Sequence, residues 1–537
     1  MGTSEPSLLP ERDELSALKE QNSSLSARIA ILEEQLRLAT LQRFAPKTEK
    51  LASLGELAVF NEVEHLCGAS DDNEASAPDA AEITVPAHTR MRGKRKPIDA
   101  ALPRVRVEHD IPDDQKTCAC GCQLTRIGEV ASEQFDLIPA RAQVLQHVRF
   151  KYACRSCEGT SLEAPCDSPA GSRPQGAVIT APMPKQPIPK SNASPGFIAY
   201  ITTAKYQDGI PLYRLEGILA RYKIELSRTT AANWMIKAGI LVTPLFDMLS
   251  ATQLAYDVLQ MDETTVQVLK EDGREADTKS YMWVRRSNEL GKPIVLFNYM
   301  PSRGGAVPFR ILDGYQGYLQ TDGYAGYDKS GARDGVKHVG CLAHARRKFF
   351  DAVKAQHKVG GDGEKGLAPQ ALLLIRKLYA IEKAAREAKM SAAQRHALRQ
   401  AQARPIWTEL RTWLDANLHA SPPQSLTGKA INYLASEWPR LIRCLDDGRI
   451  EVDNNLVENA IRPFVMGRKS WLFSDTPRGA DASAKLYSII ETAKACGLEP
   501  YAYLKLIFEK LPQAKTPADI AALLPWAVKA ASAKPTR

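Results

Sequence analysis

Apolar positions near the start of the chain fall in a seven-residue rhythm. Leu15, Asn22, Ile29 and Leu36 are seven apart, and Leu18, Leu25, Leu32 and Ala39 follow each of them by three. This a/d pattern predicts a long helix with a coiled-coil seam, and the polar Asn22 at an a-type position is a device that fixes register and two-stranded pairing. A helix packed on its own domain shows a related stripe, usually a wider one. Residues 1–65 therefore read as a coiled coil with N-terminal helices. The pattern then lapses: GASDDNEASAPDAAE is acidic, small and has little to bury, so residues 66–110 read as a linker. Residues 168–196, rich in Pro and Ser, read as an extended connector. Periodicity returns in LYRLEGILARYKIELSRTTAANWMIKAG, which predicts two helices around a short turn. Leu212, Leu215, Ile218 and Leu219 mark the first apolar face; Ser227 caps the second helix, which carries Thr230, Asn233 and Trp234. Residues 194–245 thus have the spacing of a helix-turn-helix, whose second helix can enter a major groove. Residues 250–350 alternate short strands with turns, with a helical stretch around Gly304–Leu312 between the third strand and the fourth. Residues 360–440, rich in Ala, Leu, Lys, Arg and Glu, predict a helical insertion. Residues 441–510 complete the core it interrupts, and 511–537 read as a tail.

Length and charge narrow the picture modestly. At 537 residues the chain needs several domains. A net charge of +9 and a pI near 8.9 lean toward a polyanionic partner. No apolar run approaches the roughly 20 residues needed to span a bilayer, and MGTSEPSLLPERDEL lacks a basic region followed by an apolar stretch. The expectation is a cytoplasmic protein with no membrane partner. The ten cysteines are clustered, which favours metal over disulfides in such a chain. Cys118, Cys120 and Cys122 precede Cys154 and Cys157 across a β-prone stretch, so residues 111–168 read as a zinc ribbon. The second knuckle is C-x2-C; the first is C-x-C-G-C, and two of its three cysteines would serve. His147, in a strand-like pattern, reads as a surface or paired side chain. Arg90, Arg92, Lys94, Arg95 and Lys96 form a basic burst suited to phosphate or minor-groove contact.

Three acids carry the candidate chemistry. Asp262 in QMDETTV and Asp322 in QTDGYAGY each follow a β-prone run and read as lying at or just past a strand end; Glu458 lies in the helical NNLVENAI. Carboxylates so placed suit Mg²⁺ or Mn²⁺, and two such ions about 4 Å apart can hold both oxygens of an in-line phosphoryl transfer. With 62 acidic residues in the chain, the three alone prove nothing. Glu491, also helical, is the rival for the third position. Cys341-x2-His344 resembles half of a metal site without a second pair, so packing by Cys341 and nucleic-acid contact by His344, Arg346 and Arg347 is the favoured reading. Arg462, Arg468 and Lys469 follow Glu458 and are candidates to neutralise phosphates. Trp471 reads as a buried aromatic. No Walker A loop is present, so no ATP requirement is implied.

The words QMDETTV, QTDGYAGY, HVGCLAHARRKFFDA, NNLVENAIRPFVMGRKSWLF and SIIETAKACGLEPYAYL resemble the bacterial transposases of the insertion sequence 66 family. The resemblance runs in order from RFAPKTEKL near residue 43 to about residue 510. It implies a multidomain α/β protein whose RNase-H-like mixed-sheet catalytic core carries a helical insertion and follows a coiled coil, a zinc ribbon and helix-turn-helix-like helices. It implies a DDE triad of Asp262, Asp322 and Glu458 with Mg²⁺ or Mn²⁺. The family's zinc-finger-like segment implies Zn²⁺ on Cys118, Cys120, Cys154 and Cys157. Implied partners are double-stranded DNA (terminal inverted repeats and target), a second copy of the chain in a homodimer or larger assembly, and accessory transposition proteins. Two other classes stay open: a catalytically inactive DNA-binding regulator, and a nuclease without strand transfer.

Overall fold

The computed structural model describes residues 9–44, 142–153, 178–356 and 366–532. The linker, its basic cluster and all five ribbon cysteines lie outside these residues. A long helix α1 (Leu9–Phe44) opens the chain. A short antiparallel pair, β1 (Lys151–Ala153) and β2 (Val178–Thr180), follows; β1 ends immediately before Cys154. Four helices come next: α2 (Pro195–Tyr206), α3 (Leu212–Ala220), α4 (Arg228–Leu241) and α5 (Thr243–Leu254). The Ser227 side chain accepts from the Thr230 N–H and caps α4, as the sequence predicts. No single helix among the described residues is long and apolar enough to cross a membrane.

The centre is a five-stranded mixed sheet of β3 (Val258–Gln267), β4 (Lys279–Ser287), β5 (Ile294–Met300), β6 (Gly317–Gln320) and β7 (Val336–Val339), in the order β5-β4-β3-β6-β7. β3, β4 and β5 form an antiparallel meander; β6 and β7 add parallel strands on the other side of β3. Helix α6 (Ala306–Ile311) connects β5 to β6, where the sequence places a helical stretch. After β7 come α7 (Leu342–Gln356), then α8 (Leu367–Glu387), α9 (Ala392–Leu398), α10 (Arg404–Asn417) and α11 (Leu426–Leu441). This group packs its own core around Trp407, Leu410, Ile431 and Leu434. Helix α12 (Asn455–Trp471) returns to the sheet, followed by α13 (Pro477–Ala495), α14 (Pro500–Lys510), α15 (Pro517–Ala521) and α16 (Pro525–Ser532).

Helix α13 covers the sheet's exposed edge. Ser488 Oγ accepts from the Phe297 N–H at 2.8 Å, and Thr492 Oγ1 accepts from the Val295 N–H at 3.1 Å. Outward backbone groups of β5 are thereby satisfied, removing a template for strand addition. The predicted helix-turn-helix shares this core: Trp234, Met235 and Leu245 lie in one cluster with Phe464, Tyr487 and Ile490. Gly239 on α4 is required there, because a Cβ would meet the Ala482 backbone at 2.6 Å. The end of the chain does not trail from the core as the sequence reading expects. Leu511, Leu523 and Leu524 are buried in the same cluster, since each offers apolar surface that folding removes from water.

Helix α1 presents two faces. Ile31, Glu34, Gln35 and Leu38 are half-buried, and Glu34 accepts from the Leu426 N–H at 3.0 Å, capping α11. The heptad residues Leu18, Leu25, Ile29, Leu32 and Leu36 are 53% to 69% exposed.

Candidate functional site

The tetrapeptide L-Q-x-D occurs twice, as Leu259–Asp262 and Leu319–Asp322, and the sheet pairs the two copies in register. Leu259 lies opposite Leu319 and Gln260 opposite Gln320, the last rung of the parallel β3–β6 ladder. Asp262 and Asp322 therefore each stand two residues past one rung. For Asp322 this is the strand end the sequence predicts. Asp262 instead lies mid-strand, paired with Val284, because the β-prone TTVQ that follows it continues the antiparallel ladder with β4 to Gln267.

Alternation on β3 sorts its side chains. Leu259 and Met261 face a small core with Trp283, Tyr315 and Tyr327. Gln260 and Thr264 reach α12: Gln260 Oε1 accepts from the Val457 N–H at 3.1 Å, and Arg468 Nη1 reaches Thr264 Oγ1 at 3.3 Å; alternation puts Asp262 on the face of Gln260. Glu458, in the first turn of α12, arrives on that face, where the helix dipole favours a carboxylate. Asp262 feels both of the other acids electrostatically. Burial, then the charges of Glu263, Glu458 and Asp322, push the Asp262 carboxyl well above the ordinary range, against one N–H donated by Glu263. Carboxylate oxygens of this kind are donors that fit Mg²⁺ or Mn²⁺. Glu491 sits elsewhere: it pairs with Lys494 at 2.8 Å and feels Arg286.

Two buried glutamines hold the elements together. Gln260 Nε2 donates to Gln320 Oε1 at 2.8 Å and to the Asp453 carbonyl at 3.1 Å. Gln320 Nε2 donates to the carbonyls of Gly340 at 3.1 Å and Glu451 at 2.8 Å. One amide pair thus joins β3, β6, the start of α7 and the entry to α12. Beneath Asp262, on the opposite face, Glu263 accepts from Tyr327 Oη at 2.5 Å and Arg303 Nε at 2.8 Å. Asp322 Oδ1 accepts from the Tyr324 N–H at 3.0 Å. Gly323 follows Asp322, and a Cβ there would meet the Tyr433 hydroxyl at 2.7 Å, so the Tyr433 ring packs where a side chain would stand.

Several expected residues land differently. Cys341 is packed in the interior as expected, and folding brings a third group to it and to His344. Cys341 is buried, and its ligand atom, that of His344 and that of Glu458 lie within 4.8 Å of one another. Arg468 is half-buried, and its Nη1 donates to the Thr265 carbonyl and to Thr265 Oγ1, tying α12 to β3. Arg346, Arg347 and Arg462 are half-buried and Lys469 is exposed. Trp471 is half-buried, edge-on to Phe464. His147 is exposed on an extended segment. Cys118, Cys120, Cys122, Cys154 and Cys157, with Arg90, Arg92, Lys94, Arg95 and Lys96, lie outside the described residues. Sequence reasoning missed Gln260, Gln320, Glu263 and the Cys341–His344–Glu458 grouping; the repeated L-Q-x-D was the signal for the first two.

The family described as Transposase IS66 family matches residues 190–482. The chain belongs to the IS66 transposase family. The IS66 C-terminal element matches residues 488–526. The zinc-finger binding domain of transposase IS66 matches 115–158, and Transposase C of IS166 homeodomain matches 31–107. Similar proteins from Sinorhizobium fredii include Uncharacterized protein y4jD, 32% identical over 444 residues, or 80% of this chain and 82% of that one. Uncharacterized protein y4qI is 30% identical over 539 residues, covering 96% and 92% respectively. No solved structure matches the chain. The IS66 family match spans every residue of the acid cluster, and the zinc-finger match spans the ribbon cysteines.

Proposed function

We propose that this IS66 family member is a DNA transposase that cuts the ends of its element and joins them to target DNA, using Asp262, Asp322 and Glu458 as a DDE triad on an RNase-H-like sheet. The observation that carries the reading is the in-register L-Q-x-D repeat, with one aspartate on β3 and the other just past the end of the adjacent parallel β6, each two residues beyond the same rung, and the α12 glutamate acting on the first. The strand order, an antiparallel meander extended by two parallel strands, supports the RNase-H-like assignment. Glu458 is preferred to Glu491 because Glu458 acts on Asp262 while Glu491 is engaged by Lys494.

Magnesium or manganese held by the three carboxylates would polarise the scissile phosphate and acidify the attacking hydroxyl. The chain's own contribution is position and field. The Gln260–Gln320 pair sets the spacing of the aspartates, Arg468 locks α12 to β3, and Arg346, Arg347, Arg462 and Lys469, with His344, bring donors and positive charge toward an anionic duplex. On α4, Arg228, Thr229, Thr230, Asn233 and Lys237 are exposed while Trp234 and Met235 are buried, which supports groove reading by this helix. The ribbon would carry Zn²⁺ on Cys118, Cys120, Cys154 and Cys157, and the basic burst at Arg90–Lys96 would grip phosphates. The exposed α1 seam supports pairing of two copies, and DNA as substrate places the protein in the cytoplasm.

The test uses a duplex ending in the element's terminal repeat, a supercoiled target and Mg²⁺ or Mn²⁺. The wild-type chain is expected to release 3′-hydroxyl ends and join them; Asp262→Asn, Asp322→Asn and Glu458→Gln are expected to bind the ends without cutting. Cutting without joining would make the protein a nuclease, and end binding without cutting by the wild type would make it a regulator. Either outcome overturns the proposal.

A further inference from the structure

We propose a further metal site, separate from the ribbon, in which Cys341, His344 and Glu458 bind a zinc-class divalent cation. The sequence builds it at two helix starts. Cys341 directly precedes α7 and acts as its cap, its Sγ accepting the backbone N–H of His344. Capping geometry brings the side chains at the cap and three residues on to the same end of the helix, which is what a Cys-x2-His spacing achieves here. The sulfur also accepts from the Asn454 N–H at 3.2 Å. That bond draws the start of α12 against the start of α7 and delivers Glu458 from its first turn.

The donor set decides the class of ion. Thiolate and imidazole select zinc over magnesium, whereas the all-oxygen set of Asp262 and Asp322 does the reverse. Zinc bonds of about 2.0–2.3 Å space tetrahedral ligands by roughly 3.5 Å, so groups already within 4.8 Å need to close by little more than an ångström. Cys341 is 1% exposed, and its Sγ accepts the N–H groups of His344 and Asn454 at the starts of α7 and α12, which fixes the sulfur beside the other two ligand atoms. Three protein ligands leave the fourth position to water or a phosphate oxygen. The ion would pin the first turn of α12 to α7 and so fix one oxygen of Glu458. The site rests on the transposase reading only in that Glu458 is shared with the triad.

The full-length chain is loaded with zinc, freed of excess, and its metal content measured per chain; Co²⁺ loading gives a second readout, the thiolate-to-cobalt absorption. Cys341→Ser and His344→Gln are each expected to hold one ion fewer than the wild type, and Cys341→Ser to lose the part of the cobalt band that Cys341 supplies. Because the quantity is a difference, any ion in the ribbon cancels. Serine is itself a strong helix cap, so Cys341→Ser keeps that role; if it fails to fold, His344→Gln decides. Asp262→Asn is expected to keep the wild-type zinc content while losing cleavage. Equal zinc in wild type and His344→Gln would overturn the site and leave the triad untouched; cleavage by Asp262→Asn would overturn the triad and leave the site untouched.

Discussion

Replacing Gln260 by methionine isolates what holds the acid-bearing elements together. Methionine is close to glutamine in length and volume, so it opens no large cavity. It deletes three hydrogen bonds: to Gln320 Oε1, to the Asp453 carbonyl and from the Val457 N–H. Gln260 is 4% exposed and Gln320 is fully buried, so water does not replace what is lost. Each buried partner left unsatisfied costs about 1–3 kcal/mol; with partial relaxation the total is about 3–6 kcal/mol. Urea unfolding followed by tryptophan fluorescence measures it. Gln320→Met additionally frees the carbonyls of Gly340 and Glu451, but the Gln260–Gln320 bond is shared. The double variant should therefore cost less than the sum of the singles by about 1 kcal/mol or more. Strand cleavage should fall at least tenfold in either single variant at temperatures where it stays folded, because small misplacements of reacting groups cost up to about a hundredfold. A Gln260→Met protein within about 0.5 kcal/mol of wild type, or additive singles, would refute the reasoning.

Other outcomes follow from the same geometry. Glu382 is buried between Arg395 and Arg399, with bonds of 2.6 to 3.0 Å; burial alone would raise its carboxyl, but the two guanidiniums win and lower it. A depressed carboxylate gives stability that is full above its unfolded value near 4.3 and is lost as pH falls, and Glu382→Ala, which strands a buried Arg399, should cost about 3–5 kcal/mol by denaturant titration. His338 is 4% exposed and bonded to Thr321 Oγ1 at 2.8 Å; burial first, then Arg440, hold its ring at about 4. The unfolded chain, near 6.5, takes the proton first, so up to about 3 kcal/mol is lost as pH drops from 6.5 toward 4, and His338→Gln should flatten that fall between pH 6.5 and 5. Replacing Leu25 and Leu32 by Asp should convert a sedimenting dimer to monomer without changing the thermal unfolding of the sheet, since each leucine buried in a two-stranded seam stabilises pairing by roughly 1–3 kcal/mol; a wild-type monomer at micromolar concentration would remove the coiled-coil reading.

Much of the fold was legible because the sequence carries it locally. The heptads on α1, the Ser227 cap, the helix after β5 and the Ala/Leu-rich helices between α7 and α12 are short-range patterns, and each is found where the pattern puts it. Asp322, just past a strand, and Glu458, at a helix start, were legible for a similar reason, whereas Asp262 lies within β3 rather than at its end. What escaped notice depends on pairing across the chain. Gln260 and Gln320 read as ordinary polar residues until the parallel register sets them face to face. Cys341 and His344 are close in sequence, but Glu458 joins them only when α12 returns over the sheet. Helix α1 also uses two stripes rather than one: Ile31 and Leu38 lean on the chain's own helices while the heptad row stays outside. Periodicity identifies both rows and cannot say which one meets the domain.

The helical insertion is coupled to the acid cluster through Glu451. Its carboxylate holds Arg395 on α9 at 2.8 Å, and Arg395 in turn holds Glu382 on α8. Its carbonyl accepts from Gln320 Nε2 at 2.8 Å, two residues before Asp322. A displacement of α8 and α9 therefore pulls on the same amide pair that sets the spacing of Asp262 and Asp322. On the proposed function, a partner or duplex pressing on the insertion would change the geometry of the acids without touching them. The insertion is in that sense part of the site, although none of its residues approaches Asp262 in sequence.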